Sequence, residues 1–247
     1  MIKYTISKKF TNFKDFILNI KSNFNSNNKS IHKARNELKV INYNKLDTIV
    51  KSFKVPHLFN QIVYSFFRDS KAKKSYEYSL ILKDFTPQPI GYIEFYSSFL
   101  LKESYFISER FDYDFTIREP LLDANFENKK NILEAFAKFT LELHNNNILH
   151  HDYSPGNILI KKENDDFIFK VVDINRMKFI PLDLDARLKN FAKLWMSDAD
   201  MTIVASEYAK LIEEDIDKCI KLALKYSRNH KNKKNIKKRL KGEKVVD

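Results

Sequence analysis

The run Ile148 to Ile160, reading ILHHDYSPGNILI, constrains the fold of this chain more than any other stretch. Two short apolar segments flank a loop that carries His150, Asp152 and Asn157, so a carboxylate and a carboxamide are fixed at the two ends of a turn between strands. Thirteen residues past Ile160, closing the β-branched and aromatic run FIFKVV (Phe167 to Val172), comes Asp173. A carboxylate at the end of a continuous apolar strand needs a cation or donors beside it, because burying it alone is costly. The chain must therefore build sheet as well as helix around this loop.

With 247 residues the chain can form one domain or two small lobes, and it can bury a core. Glycine is scarce, at Gly91, Gly156 and Gly242 only. No run of about 18 apolar residues exists that would span a bilayer as a helix. The N-terminus, MIKYTISKKF, lacks the continuous apolar stretch of a secretory signal, and the lone Cys219 cannot form an internal disulfide. The expectation is a soluble cytoplasmic protein. Its net charge of +12 is uneven, since Lys225 to Lys244 holds ten Lys or Arg against the single acid Glu243. Such a basic tail suits an anionic membrane surface, a phosphorylated substrate or nucleic acid; its alternative is a solvated, partly helical terminus without a partner.

Along the chain, Phe10, Phe13, Phe16, Ile17 and Ile20 fall on helical spacing, followed by the polar loop SNFNSNNKS. A strand pair follows, Glu37 to Asn42 and Leu46 to Lys54 around the turn YNK. Leu58 to Leu82 is helical in pattern, and Pro87 and Pro89 end it before the strands GYIEFYSS and SYFISERF. A helix from about Lys129 to His144 leads into the central loop. Beyond Asp173 the pattern predicts two amphipathic helices, one with Leu184, Leu188, Phe191 and Trp195, the other with Ile212, Ile216, Ile220 and Leu224.

The spacing His150-x-Asp152-x-x-x-x-Asn157 is the H-x-D-x-x-x-x-N arrangement of a kinase catalytic loop. Phosphoryl transfer needs the Asp to orient an attacking hydroxyl and accept its proton, and needs oxygen ligands such as Asn157 and Asp173 to hold Mg2+ against the phosphates. An ordinary turn aspartate is the plain alternative for Asp152. Three consecutive metal ligands at His150, His151 and Asp152 are disfavoured, because neighbouring side chains on extended backbone point apart. Asp173-Ile174-Asn175 stands where a protein kinase has Asp-Phe-Gly, and Asn175 is expected to take the glycine's place because Asn tolerates positive φ.

The order of elements predicts an α+β, protein-kinase-like bilobal fold: a small β-rich N-lobe over 1–110 and a reduced helical C-lobe over 111–247. The hinge is expected near Ser108 to Tyr113, with Glu109 among the nucleotide-binding residues. On the strand TIVKSFK, Lys51 and Lys54 are three apart and face opposite ways. Lys51 is the choice for anchoring phosphates, with Ile49 on the same face to cover an adenine. Glu77 is its expected partner, or else it pairs with Lys73 one helical turn away. No glycine-rich loop precedes Lys51; the turn region is SIHKARNELKV, where Arg35 would assist backbone N–H groups.

The runs VKSFKVPHLFNQIVYSFFRDSKAKKSYEYS and TPQPIGYIE, the central loop and DINRM together resemble the lipopolysaccharide kinase (Kdo/heptose kinase) family, from about Arg35 to Leu194. The resemblance implies ATP and Mg2+ as cofactors, with Asp152 catalytic, Lys51 and Glu77 nucleotide-binding, and Asn157 and Asp173 on the metal. It implies a small-molecule or glycolipid sugar of the lipid A core region as acceptor, on the cytoplasmic face of the inner membrane. No specific nucleic acid and no obligate protein partner are expected. Two features of the sequence agree: only a short loop separates Asp173 from the helical pattern at Leu184, leaving no room for a peptide platform, and His151 replaces the Arg that in many protein kinases receives an activation-loop phosphate. The competing readings are a minimal protein kinase or other small-molecule phosphotransferase, and a non-catalytic kinase-like binding protein that uses its basic tail.

Overall fold

The computed structural model describes residues 1–27, 30–33, 36–53, 68–164 and 166–243. The chain divides into two units, Met1–Asp112 with Asp173–Asn175, and Tyr113–Val172 with Arg176–Asp247. Their content of helix and antiparallel sheet is the α+β class expected.

The first unit is a six-stranded antiparallel sheet. In chain order its strands are β1 (Ile2–Ile6), β2 (Ser30–Lys33), β3 (Glu37–Tyr43), β4 (Leu46–Phe53), β5 (Pro89–Ser97) and β6 (Leu100–Glu109), laid out as β1-β5-β6-β4-β3-β2. The β3–β4 hairpin turns on Asn44 and Lys45, both at positive φ (50° and 64°), as a two-residue turn matched to strand twist requires. Alternation along β4 sends Val50 to one face and Lys51 and Phe53 to the other.

The Val50 face is covered by the N-terminal segment, whose 3-10 turn (Lys8–Phe13) and helices α1 (Lys14–Leu18) and α2 (Ile20–Ser26) bury Phe13, Phe16, Ile17 and Ile20 against Ile93 and Ile107. Gly91 makes this close approach possible: a Cβ there would lie 2.5 Å from the Thr5 carbonyl oxygen and 2.7 Å from Ile17 Cδ1. The opposite face packs Phe53, Tyr92 and Phe106 against Ala72 and Tyr76 of α3 (Lys71–Leu82), whose first turn is capped by the Ser70 hydroxyl accepting from Lys73 N–H at 3.1 Å. Thus the helix predicted from Leu58 is observed from Lys71; Leu58 to Phe67, Lys54 and Arg35 lie outside the described residues.

The second unit builds on helix α5 (Lys129–Asn145), which follows the short α4 (Arg118–Leu122). Ile132, Leu133, Phe136, Phe139, Thr140, Leu143 and His144 are buried on it, a stripe at i, i+4, i+7 and i+11. Around it stand a three-stranded sheet, β7 (Phe115–Thr116), β9 (Ile158–Glu163) and β10 (Asp166–Val171) in the order β10-β9-β7, and a two-stranded ribbon of β8 (Ile148–His150) and β11 (Met177–Phe179). Three further helices complete it: α6 (Leu184–Asn190), α7 (Asp198–Leu211) and α8 (Ile216–Leu240).

Here the structure corrects the sequence pattern. Trp195 leaves the helix of Leu184 and Leu188 at φ 59°, and Ile212 lies in the turn after α7 rather than on α8. The buried face of α8 carries Cys219, Ala223, Ser227 and Asn235, so the basic segment is a docked helix and not a free tail. Arg228 pairs with Asp198 at 2.7 Å, and Lys231 Nζ donates to the Met196 carbonyl at 2.8 Å. No described helix is long and apolar enough to cross a membrane.

A buried His144 links α5 to α7. Tyr208 Oη lies 2.8 Å from His144 Nδ1 and accepts from Arg187 at 3.3 Å, so its hydroxyl proton goes to the imidazole. Burial, and secondarily the Arg187 charge, lower the His144 pKa from 6.5 to about 3. The folded state then refuses a proton that the unfolded chain takes up, and stability falls as pH drops through 6.5 toward 3. At pH 5 the loss should be roughly 2 kcal/mol from this residue. Urea midpoints at pH 7 and pH 5 check this; an equal pH response in His144→Gln would assign the loss elsewhere.

Candidate functional site

The residues expected to form a catalytic loop, His150, Asp152 and Asn157, sit in the second unit, and the loop is pinned by the residues that bracket Asp152. On one side His150 is buried: its Nδ1 accepts the Asp152 N–H at 3.1 Å, which leaves the ring proton on Nε2 to be donated to the Val172 carbonyl at 3.0 Å. On the other side Tyr153 is fully buried, stacked on Phe136 with ring centroids 5.7 Å apart, its hydroxyl 2.8 Å from Thr140 Oγ1. Burial raises the Tyr153 pKa, so it stays a neutral anchor. Asp152 lies in the turn that follows β8, between these two buried anchors, and its side chain is half-exposed.

Asn157 closes the loop, its Nδ2 donating to the Asp152 backbone carbonyl at 2.9 Å while its own carbonyl accepts Val172 N–H at 2.9 Å. That use of the amide nitrogen leaves Oδ1 as the group able to face a hard cation. Arg176, just before β11, places Nη1 3.6 Å from Asp152 Oδ2. Lys193, in the 3-10 turn Phe191–Leu194, donates to the His151 carbonyl.

The nucleotide-side residues sit in the first unit. Lys51 Nζ is 2.6 Å from Asp173 Oδ1, and Asn175 Nδ2 donates to the same oxygen at 2.7 Å. Asp173 itself occupies the left-handed region at φ 56°, whereas the sequence reading gave positive φ to Asn175. Asn175 instead lies in the 3-10 turn Ile174–Arg176, and its amide braces the carboxylate. A non-glycine residue held in this region is a recurrent feature of functional sites.

Ile49 is half-buried on the Lys51 face of β4, opposite Ser108 of β6. Glu109 ends β6, its N–H donating to the Gln88 carbonyl at 2.9 Å. Glu77 pairs with Lys73 at 3.6 Å, not with Lys51, whose ammonium is taken by Asp173. Lys73 is held more firmly by Asp69 at 2.6 Å, a hydrogen bond that raises the Lys73 pKa. The structure thus joins Lys51 with Asp173 and Asp152 with Asn157, and leaves Glu77 in the helical pair that was its alternative.

The Asn157 amide oxygen in the second unit and the Asp173 carboxylate in the first are each, taken singly, of the oxygen-donor type that Mg2+ accepts. No group of three or more His, Cys, Asp or Glu forms a further metal cluster among the described residues.

An antiparallel sheet joined to a helical unit that presents this loop defines a protein of the protein-kinase-like class. The solved structure of WaaP in complex with acyl carrier protein superimposes with a TM-score of 0.61 over 93% of this chain and 98% of that one, at 13% identity, a likeness that shows the fold. None of the curated proteins compared with the chain matches it. The family model for the lipopolysaccharide kinase (Kdo/WaaP) family matches residues 86–215, and the chain belongs to that family. The matched segment takes in Glu109, Asp152, Asn157 and Asp173 and begins after the strand that carries Ile49 and Lys51.

Proposed function

We propose that this chain transfers the γ-phosphate of ATP to a hydroxyl of a lipopolysaccharide-core sugar, Kdo or heptose. The observation that carries the reading is the loop fixed by His150, Tyr153 and Asn157, which holds the Asp152 carboxylate forward of a rigid backbone. Asp152 Oδ2 accepts the hydrogen bond of the acceptor hydroxyl and takes its proton as transfer proceeds. Lys51 Nζ exchanges Asp173 for phosphate oxygens when nucleotide binds, and Ile49 offers an apolar surface to the base. Asp173 and Asn157 are the residues the motif assigns to Mg2+, which would supply charge neutralisation on the phosphates. The test is transfer from radiolabelled ATP into separated lipid, protein and small-molecule fractions, with and without Mg2+. Label appearing only in protein would replace this reading by that of a minimal protein kinase.

The outer end of α8 supports a peripheral seat on the cytoplasmic face of the inner membrane. Ile236 and Leu240, 54% and 82% exposed, lie one turn apart beside Lys233 and Lys237, apolar side chains flanked by cations as on an interfacial helix. Each well-placed cation contributes roughly 1 kcal/mol toward an anionic surface, fading with salt. The double variant Lys233→Gln/Lys237→Gln should bind vesicles containing phosphatidylglycerol about thirtyfold less tightly. Lys233 and Lys237 are exposed, so these substitutions spare the packing of α8; unchanged, salt-independent affinity would rule the seat out. Since the similar WaaP structure is a complex with acyl carrier protein, a carrier protein is also proposed as a partner, where the sequence suggested none. Co-elution of the two proteins tests it.

A further inference from the structure

Beside Asp152 the second unit gathers cations from three separate elements. In the β8–β11 ribbon Met177 pairs with His150, so the next pair outward is Arg176 with His151, and Lys178 stands opposite Leu149. His150 and Met177 are buried, which places His151, Arg176 and Lys178 together on the opposite, exposed face. Lys193 joins them through its bond to the His151 carbonyl. Helix α8 is seated on the following residues by Lys231 on the Met196 carbonyl and by His230 against the Trp195 ring, centroids 6.0 Å apart. Lys234, one turn beyond both, continues that stripe.

These charges act on one another. Burial, with the nearby Lys234, Lys178 and Arg176, holds the Lys193 pKa below its ordinary value against the opposing pull of Asp152. His151 is likewise lowered, first by Lys193, then by burial, Lys178 and Arg176. Asp152 is the sole carboxylate among the causes acting on either group. Arg176 and Lys193 act on Asp152 while Lys178 and Lys234 act on Lys193, so the positive charge gathered here exceeds that of the one carboxylate, which must also serve the acceptor hydroxyl, and a bound anion would relieve the excess.

We propose that this face is a subsite for an anionic group of the acceptor, a carboxylate or a phosphate carried near the hydroxyl that Asp152 orients, gripped by Lys178, Lys193 and Lys234. The inference rests on the kinase reading above and deepens it: the acceptor is recognised by its charge through these positioning residues. Nucleotide phosphates are assigned to Lys51, so the subsite should govern the acceptor alone.

The experiment compares kcat and KM of the full chain for matched acceptors, Kdo against its methyl ester and a heptose phosphate against the unphosphorylated heptose. Lys178→Gln and Lys234→Gln, both exposed, and Lys193→Gln are set beside Lys225→Gln, which lies on the outward side of α8. Each of the first three should raise KM for the charged acceptor about tenfold while leaving kcat, the neutral acceptor and the KM for ATP unchanged. Lys225→Gln should change nothing. Which charged acceptor responds identifies carboxylate or phosphate as the anion. Equal losses on charged and neutral acceptors, unchanged constants, or an effect on ATP alone would overturn the subsite. Should no acceptor be phosphorylated, calorimetric binding of Kdo and of the heptose phosphate by the same variants decides: Lys178- and Lys234-dependent binding keeps the subsite while the kinase reading falls, and its absence overturns the subsite too.

Discussion

Replacing Asp152 by alanine is expected to lower phosphoryl transfer by about three orders of magnitude with circular dichroism unchanged. The loop backbone is held by the Asn157 amide, the His150 ring and the buried Tyr153, and none of these uses the Asp152 side chain. What is lost is the contact with Arg176 at 3.6 Å, an ion pair in which both groups are substantially exposed and which contributes little to stability, and the longer-range pull on Lys193. Asp173→Asn should cost as much activity, because it removes the charge that a metal ligand brings. Asparagine is the right substitution there: it tolerates the left-handed backbone at φ 56°, whereas alanine would add strain unrelated to chemistry. Near-normal turnover in either variant, with the fold intact, would sink the catalytic assignment.

The catalytic loop was legible because its spacing and its flanking apolar strands are local features, and both appear as β8 and β9. The strands β3 to β6 and helix α5 were legible for the same reason, each carrying a clear period. What escaped is tertiary. Strand β1 does alternate Ile2, Tyr4 and Ile6 with Lys3 and Thr5, but over only five residues, and the four-residue β2 edge does not; pairing with β5 and with β3 is what fixes them as strands. Helix α7 was missed as its buried face mixes Asp200, Met201, Val204, Ala205 and Tyr208 with no run of large apolar residues. The cations gathered on this face come from Arg176, Lys193 and, next to Lys193, Lys234, positions spread over a long stretch of chain that no spacing rule connects. The positive φ at Asp173 in place of Asn175 was likewise hidden, because the residue in the glycine's position is only one of several that can absorb the turn.

Lys51→Ala should lower kcat/KM for ATP about a hundredfold, roughly 2.7 kcal/mol of transition-state stabilisation, while Lys54→Ala should change it less than threefold. The difference follows from strand alternation. Val50 faces the N-terminal helices and Phe53 faces α3, so Lys51 shares the Phe53 side, where its ammonium lies 5.4 Å from the Phe53 ring centroid. The Lys51 side chain is only 13% exposed, and among the described residues its ion pair is with Asp173 at 2.6 Å, so a largely buried cation is held on the carboxylate proposed as a metal ligand. Removing it takes the ammonium away from Asp173, to which the Asn175 amide still donates, and the loss should appear in nucleotide affinity and in turnover together. Lys51→Arg distinguishes charge from geometry: it retains the cation but not the compact point charge, and should recover only part of the activity. Binding of a fluorescent ATP analogue to each variant, alongside turnover, provides the check. Equal losses at the two lysines, or a larger one at Lys54, would place the phosphate anchor on the other side of the strand and overturn the pairing of Lys51 with the nucleotide.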